Sequence, residues 1–142
     1  MKKFSIQRQV EFNHCDFAGI VYFARYFEMI SALIERFFAD AIDFSWKDML
    51  SSEQPAGTPI GDIHTRFLAP SRLGDWLVFE LEIKKITSST VLFAIHCFSD
   101  KELRFICETT LVYIDTKKNK AQNWPEAVIE KFYNYQSETL EK

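Results

Sequence analysis

Residues 12–27 read FNHCDFAGIVYFARYF, with Asp16 three positions before Gly19 at the entrance of an aromatic-rich apolar run. If a helix begins near Ile20, its first amides, roughly those of Val21 to Phe23, have no intrahelical acceptor. They carry partial positive charge and can hold an anionic oxygen. Gly19 allows the turn that brings the preceding chain onto the helix start. One short segment then supplies a carboxylate, as nucleophile or general base, together with a set of oxyanion donors. Those two parts suit a thioester, because a thiol with a pKa of about 8.5 leaves without a general acid. Spacing alone equally allows the commoner structural role, in which Asp16 caps the helix.

The neighbours of Asp16 carry weaker signals. His14 and Cys15 sit next to it, but neighbours on an extended segment point to opposite sides and do not converge on one metal ion or form a dyad. His14 is expected to be a surface or interface histidine, with water positioning as its alternative role. Cys15 is expected to be a small apolar filler. His64 and His96 fall within strand-like runs and are expected to be ordinary sheet residues. Phe23, Phe27, Phe37 and Phe38 are expected to serve the core first and an acyl pocket second, and the KKNK stretch at 117–120 to be a solvated turn.

The elements that must position these residues follow from periodicity. Phe4, Ile6, Val10 and Phe12 alternate with polar residues, the pattern of a strand with one apolar face, ending near Asn13. Ile20, Phe23, Phe27, Ile30, Leu33, Ile34, Phe37 and Phe38 recur at three- and four-residue steps, marking a helix of about five turns. DFSWKDML predicts a short helical turn and SSEQPAGTP a loop. Four strands follow, in PIGDIHTRFLAP, WLVFELEIKKI, TVLFAIHCF and LRFICETTLVYID, the third nearly all apolar and so central. A tight turn is expected at Asp100–Lys101–Glu102, and Pro125 is expected to open a short amphipathic helix running to about Tyr135, with frayed residues after it. Consecutive strands with short turns predict an antiparallel meander, and its open edges predict pairing with another copy.

Composition bounds the rest. The 142 residues, 47% of them hydrophobic and 14 of them Phe, suffice for one domain, 1–142, with a single core. A net charge of −3 argues against nucleic acid, whose phosphates need a basic face. Three irregularly spaced cysteines give no zinc pattern, and no apolar run of about 20 residues offers a membrane span. The expectation is a cytoplasmic protein with reduced thiols, no metal and no cofactor.

FNHCDFAGIVYFARYFEMI resembles the signature of the 4-hydroxybenzoyl-CoA thioesterases, a branch of the hotdog-fold acyl-CoA thioesterases, and GTPIGDIHTRFLAPSRLGD and FELEIKKITSSTVLF look like that family's following strands. The resemblance implies an α+β hotdog fold: a five-stranded antiparallel sheet wrapped around the long central helix, with a short C-terminal helix. It implies homodimers joined sheet edge to sheet edge, or homotetramers, with the active site at the interface. Asp16 matches the catalytic carboxylate, with Gly19 beside it, and the Phe23 backbone amide matches the donor to the thioester carbonyl. Trp46, Thr58, Tyr22 and Ser31 are implied on the substrate side. CoA is part of the substrate and no separate cofactor is implied; an acyl-carrier protein is the alternative carrier. Ser31 stands where aromatic-acyl members have a helix carboxylate, so a 4-hydroxybenzoyl preference does not follow. Thr87, Ser88 and Ser89 replace a basic cluster that meets the nucleotide phosphates, leaving Arg72, Lys84, Lys85 or the KKNK stretch for that task. The rival readings are a non-catalytic acyl-CoA binder and a hotdog enoyl-CoA hydratase or dehydratase; the second would need an Asp–His pair across the site.

Overall fold

The first alternating segment folds as β1 (Phe4–Gln9), and the long apolar period as α1 (Phe23–Arg36), in a computed structural model that describes residues 2–137. The expected terminal fraying falls on residues 138–142, outside the described residues. Four long strands follow: β3 (Ile60–Phe67), β4 (Trp76–Ile86), β5 (Thr90–Ser99) and β6 (Glu102–Val112). Together with β1 they form one five-stranded sheet in the order β1-β4-β5-β6-β3, all of whose pairs are antiparallel. The remaining elements are α2 (Trp46–Ser51), a small sheet of β2 (Ala56–Gly57), β7 (Ile114–Asp115) and β8 (Lys120–Ala121), and α3 (Glu126–Tyr133). No helix among the described residues is long and apolar enough to cross a membrane.

The core lies between one stripe of α1 and the concave face of the sheet. Tyr26, Met29, Ile30, Leu33 and Ile34 recur at steps of three, one, three and one, so they occupy one face of the helix and are all buried. They meet Leu77, Phe79, Leu81 and Ile83 of β4, Val91, Phe93, Ile95 and Cys97 of β5, and Phe105, Cys107 and Leu111 of β6. Each fully buried large apolar side chain contributes about 1.5–3 kcal/mol, so this wrapped helix is the main source of stability. Beyond Arg36 the helix widens into a π turn over Phe37–Ala41, closed by the Ile42 amide on the Phe37 carbonyl at 3.1 Å. The extra residue per turn lets Phe37 and Phe38, adjacent in sequence, both reach the core with no exposure. β5 lies in the middle of the sheet, as its apolar run requires. Asp100 and Lys101, at φ 51° and 67°, make the two-residue turn into β6, a geometry matched to the twist of paired strands.

Three expectations are corrected. The four strands are not a simple meander: β3 pairs with β6 at one edge, while β4 lies beside β1 near the other. Residues 68–75 must therefore cross the width of the sheet, and they do so against the start of α1, where the Ser71 carbonyl accepts the Val21 amide at 2.9 Å. LRFICETTLVYID is not one strand. It breaks at Tyr113, whose buried ring stacks on Trp124 at 4.6 Å and whose amide bonds to Ser89, sending β7 into the small sheet. Pro125 precedes α3 as its cap, with ψ 145°, and is not its first helical residue.

Candidate active site at the start of the central helix

β1 ends at Gln9, earlier than its alternation suggests: Val10 still donates in register to the Asp75 carbonyl (2.8 Å), but its own carbonyl accepts from Gly74 (2.9 Å), one residue out of register. The chain then makes a 3-10 turn over Phe12–His14 and enters a miniature hairpin. Cys15 pairs with Val21, Asp16 donates its amide to Ile20 at 3.0 Å, and Gly19 donates to the Asp16 carbonyl at 3.0 Å. Asp16, Phe17, Ala18 and Gly19 are thus one β-turn, with an acid at its first position and glycine at its fourth, where each is favoured. Gly19 has φ +78°, the left-handed region that side chains resist. The Asp16 Oδ1 accepts the Ala18 amide at 2.9 Å, and the residue is exposed. Its Oδ2 has no partner among the described residues.

This geometry corrects the cap reading. The helix starts at Phe23, not near Ile20, and its N-cap is Tyr22, whose side chain makes no capping bond. Of the amides expected to be open, Val21 is bonded to Ser71 and Tyr22 to the His14 carbonyl at 3.0 Å. The open pair is Phe23 and Ala24, neither of which has an acceptor among the described residues. The sequence reading named the first and missed the second, because it placed the helix start three residues too early.

His14 is not a surface residue. It is 6% exposed, and its Nδ1 accepts the Glu11 amide at 2.8 Å, so the ring is neutral with its proton on Nε2. Burial, and then the Arg8 charge, push its pKa below the ordinary histidine value, against the pull of Glu11 and Glu28. Burial and the Asp16 carboxylate push the Cys15 thiol up, which disfavours a thiolate there. Cys97, fully buried, is pushed up by burial to about 12. His64 lies exposed on β3, and His96 stacks on Phe98 at 6.2 Å.

Beside the open amides lies a groove of 410 Å³ lined by Val21, Phe23, Tyr26, Phe67, Leu68 and the chain at Ala69–Pro70. The aromatic residues of α1 divide as follows: Phe37 and Phe38 belong to the core, whereas Phe23 is exposed and packs its ring on Tyr22 and Phe27 at 5.2 and 6.5 Å. Asp16 and Gly19 lie on the hairpin that leads into Tyr22 and Phe23, and of these four only Phe23 lines the groove. Trp46 and Thr58 also meet, but elsewhere: with Met49, Leu50, Ala56 and Gly57 they line a separate apolar cavity of 250 Å³. Ser31, exposed on α1, lines neither space. Among the candidates for phosphate, Lys84 is paired with Glu108 at 2.9 Å, and the Thr87 hydroxyl is held by Thr90 at 2.6 Å within its own turn.

The chain matches the thioesterase-like superfamily over residues 10–132. A 4-hydroxybenzoyl-CoA thioesterase from Pseudomonas sp. (strain CBS-3) is 29% identical over 84 residues, which is 59% of this chain and 60% of that protein. The fold matches a 1,4-dihydroxy-2-naphthoyl-CoA thioesterase from Synechocystis with a TM-score of 0.85 at 21% identity, covering 94% of this chain and 97% of that one. It also matches a Staphylococcus aureus protein solved in complex with CoA, with a TM-score of 0.86 at 17% identity, covering 99% and 90% of the two chains. A sheet packed on one long helix, and a family match spanning nearly the whole chain, lead to one conclusion: the chain has the hotdog fold and belongs to the thioesterase-like superfamily.

Proposed function

We propose that the protein hydrolyses an acyl-CoA to free acid and CoA, with Asp16 as the attacking or base carboxylate and the Phe23 and Ala24 amides as oxyanion donors. The observation that carries this reading is the turn at Asp16. It holds one carboxylate oxygen on the Ala18 amide and leaves the other without a partner among the described residues, on the hairpin that leads directly into the start of α1. As the carbonyl carbon is attacked, by Oδ2 or by water whose proton Asp16 takes, charge gathers on the carbonyl oxygen. Two amides at a helix start stabilise that charge more than the neutral ground state, which is the requirement for catalysis. The C–S bond breaks with the electron pair on sulfur and the CoA thiolate leaves unaided; where Oδ2 was the attacker, water then hydrolyses the acyl–Asp16 anhydride, releasing the acid and restoring the carboxylate.

CoA is favoured as the carrier by the relatives that act on or bind CoA species; an acyl-carrier protein is the alternative. No cofactor beyond the substrate is needed. The acyl group enters the apolar cavity of Trp46 and Thr58, contributed by a second copy, since within one protomer that cavity and the groove at Phe23 share no residue. A homodimer, or a tetramer built from it, forms along β3, which is exposed on nearly every residue and carries Ile60, Ile63 and Phe67 in the open. Three unpaired thiols fit a reducing, cytoplasmic setting.

The test is Asp16→Asn, whose amide oxygen still accepts the Ala18 N–H and so preserves the turn. With a panel of aromatic and aliphatic acyl-CoAs and a thiol reagent, turnover falls by roughly two or more orders of magnitude while fold and assembly persist. Hydrolysis at the parental rate by Asp16→Asn would remove this mechanism.

A further inference from the structure

Arg104 is a charged residue in the apolar run LRFI, and it occupies a β-bulge. Cys97 pairs with Phe105 and the next residue, Phe98, pairs with Leu103, so Arg104 is the extra residue of β6. A bulge re-aims the side chain it carries. Here the guanidinium turns inward, to 8% exposure, and reaches the segment that crosses beneath α1. Its Nη1 donates to the Pro70 carbonyl (3.1 Å), the Ser71 hydroxyl (3.0 Å) and the Asp75 carboxylate (2.8 Å), and its Nε lies 2.9 Å from Glu102. Its carbonyl accepts the amides of Leu68 and Ala69 at 2.8 and 3.1 Å. Asp75 in turn accepts the Arg72 amide at 2.9 Å, closing the loop on itself.

The far side of the same loop grips the candidate site. Ser71, fully buried, accepts the Val21 amide through its carbonyl, in the residues just before α1. Arg72 pairs with Ile20, Leu73 donates to the Gly19 carbonyl at 3.1 Å, and Gly74 and Asp75 hold Val10. Arg104 bonds directly to Ser71 and Asp75 at the two ends of this stretch, and Arg72, Leu73 and Gly74, which hold the hairpin and Val10, lie between them.

We propose that Arg104 is the positioning residue of the site: through segment 68–75 it sets the register of the Asp16 hairpin against the open amides of α1. It touches no substrate. The role rests on the catalytic reading of Asp16, since positioning matters only where a misplacement of about 1 Å is costly to turnover.

The experiment compares Arg104→Lys and Ser71→Ala with the parent by steady-state kinetics on acyl-CoA and by hydrogen exchange at single amides. Lysine keeps the charge but cannot make the planar, multiply bonded contact. The expected result for Arg104→Lys is a kcat lowered roughly 10- to 100-fold with KM within about threefold, and faster exchange at Val21 and Leu73 while Phe93 and Ile95 in the sheet centre are unchanged. Ser71→Ala, which keeps the Arg104–Asp75 pair, gives a smaller loss of the same kind and decides the matter if the lysine variant does not fold. Parental kcat in a folded variant whose Val21 and Leu73 amides exchange faster overturns the proposal, and so does unchanged exchange at those amides. If the parent itself releases no thiol from acyl-CoA, the catalytic reading fails, and the exchange data alone then uphold or overturn the Arg104 linkage.

Discussion

Ile20 and Arg72 face each other across an antiparallel bridge, and one residue to either side Leu73 donates its amide to the Gly19 carbonyl. The glycine of the Asp16 turn is thereby clamped from outside its own hairpin. A β-carbon added at Gly19 meets nothing within 4 Å, so a substitution there is penalised by backbone conformation alone. Gly19→Ala should cost about 1–2 kcal/mol, seen as a fall of several degrees in the thermal midpoint. Gly19→Asn should cost less, because asparagine tolerates the left-handed region, and Gly19→Val more. A valine variant as stable as the parent would show that the turn adopts another geometry.

His14 should make stability pH-dependent. Its folded pKa lies below the ordinary value of about 6.5 because of burial first and the Arg8 charge second, with Arg25 adding to the push and Glu11 and Glu28 opposing it. The unfolded chain therefore binds the proton more readily. The contribution is fully present above about pH 6.5 and is lost as pH falls through the folded value, when a proton on Nδ1 breaks the bond from Glu11. His14→Gln can accept the same amide at every pH, so its thermal midpoint should decline less steeply than the parent's between about pH 7 and 5. Identical slopes for the two proteins would assign the acid sensitivity to other groups.

The open edge of β3 should be an interface. Ile63 is 37% exposed in the middle of that strand, and a charge placed on an edge strand blocks pairing with another. Ile63→Lys should run as a monomer in sedimentation experiments at concentrations where the parent is a dimer or larger. If the two half-sites come from two copies, its acyl-CoA turnover should drop with assembly and recover at high protein concentration. An unaltered assembly state would move the interface elsewhere.

Trp46 should report on the acyl group. It lines the 250 Å³ apolar cavity, and its buried Nε1 has no hydrogen-bond partner among the described residues. Trp46→Phe removes that unpaired donor and keeps the ring, so stability should change little. Trp46→Ala removes the wall. It should raise KM for the preferred acyl-CoA roughly tenfold, about 1.4 kcal/mol, with a much smaller effect on kcat. A kcat effect alone, with KM unchanged, would take the acyl group out of this cavity.

Local pattern determined most of the elements. The alternation of β1 and β4, the apolar run of β5 and the buried stripe of α1 at steps of three and four each state their own period. The DFAG turn is equally local: acid first and glycine fourth dictate the hairpin whatever lies around it. The family resemblance is likewise legible in one stretch, and it links Asp16, Gly19 and Phe23 through their spacing alone.

What no stretch of sequence states is which elements meet. β3 lies beside β6 because the fold wraps one sheet around one helix, and that choice forces residues 68–75 across the helix start. The crossing uses up the Val21 amide and the fold buries His14, so the helix opens at Phe23 instead of Ile20, with the Phe23 and Ala24 amides lacking acceptors among the described residues. Arg104 reads in the sequence only as an interruption of an apolar strand. The bulge and the loop above it, 29 residues away along the chain at Asp75, make it the anchor of the site. Periodicity is a property of near neighbours, whereas these contacts depend on closing long loops, and only the packed core decides which loops close.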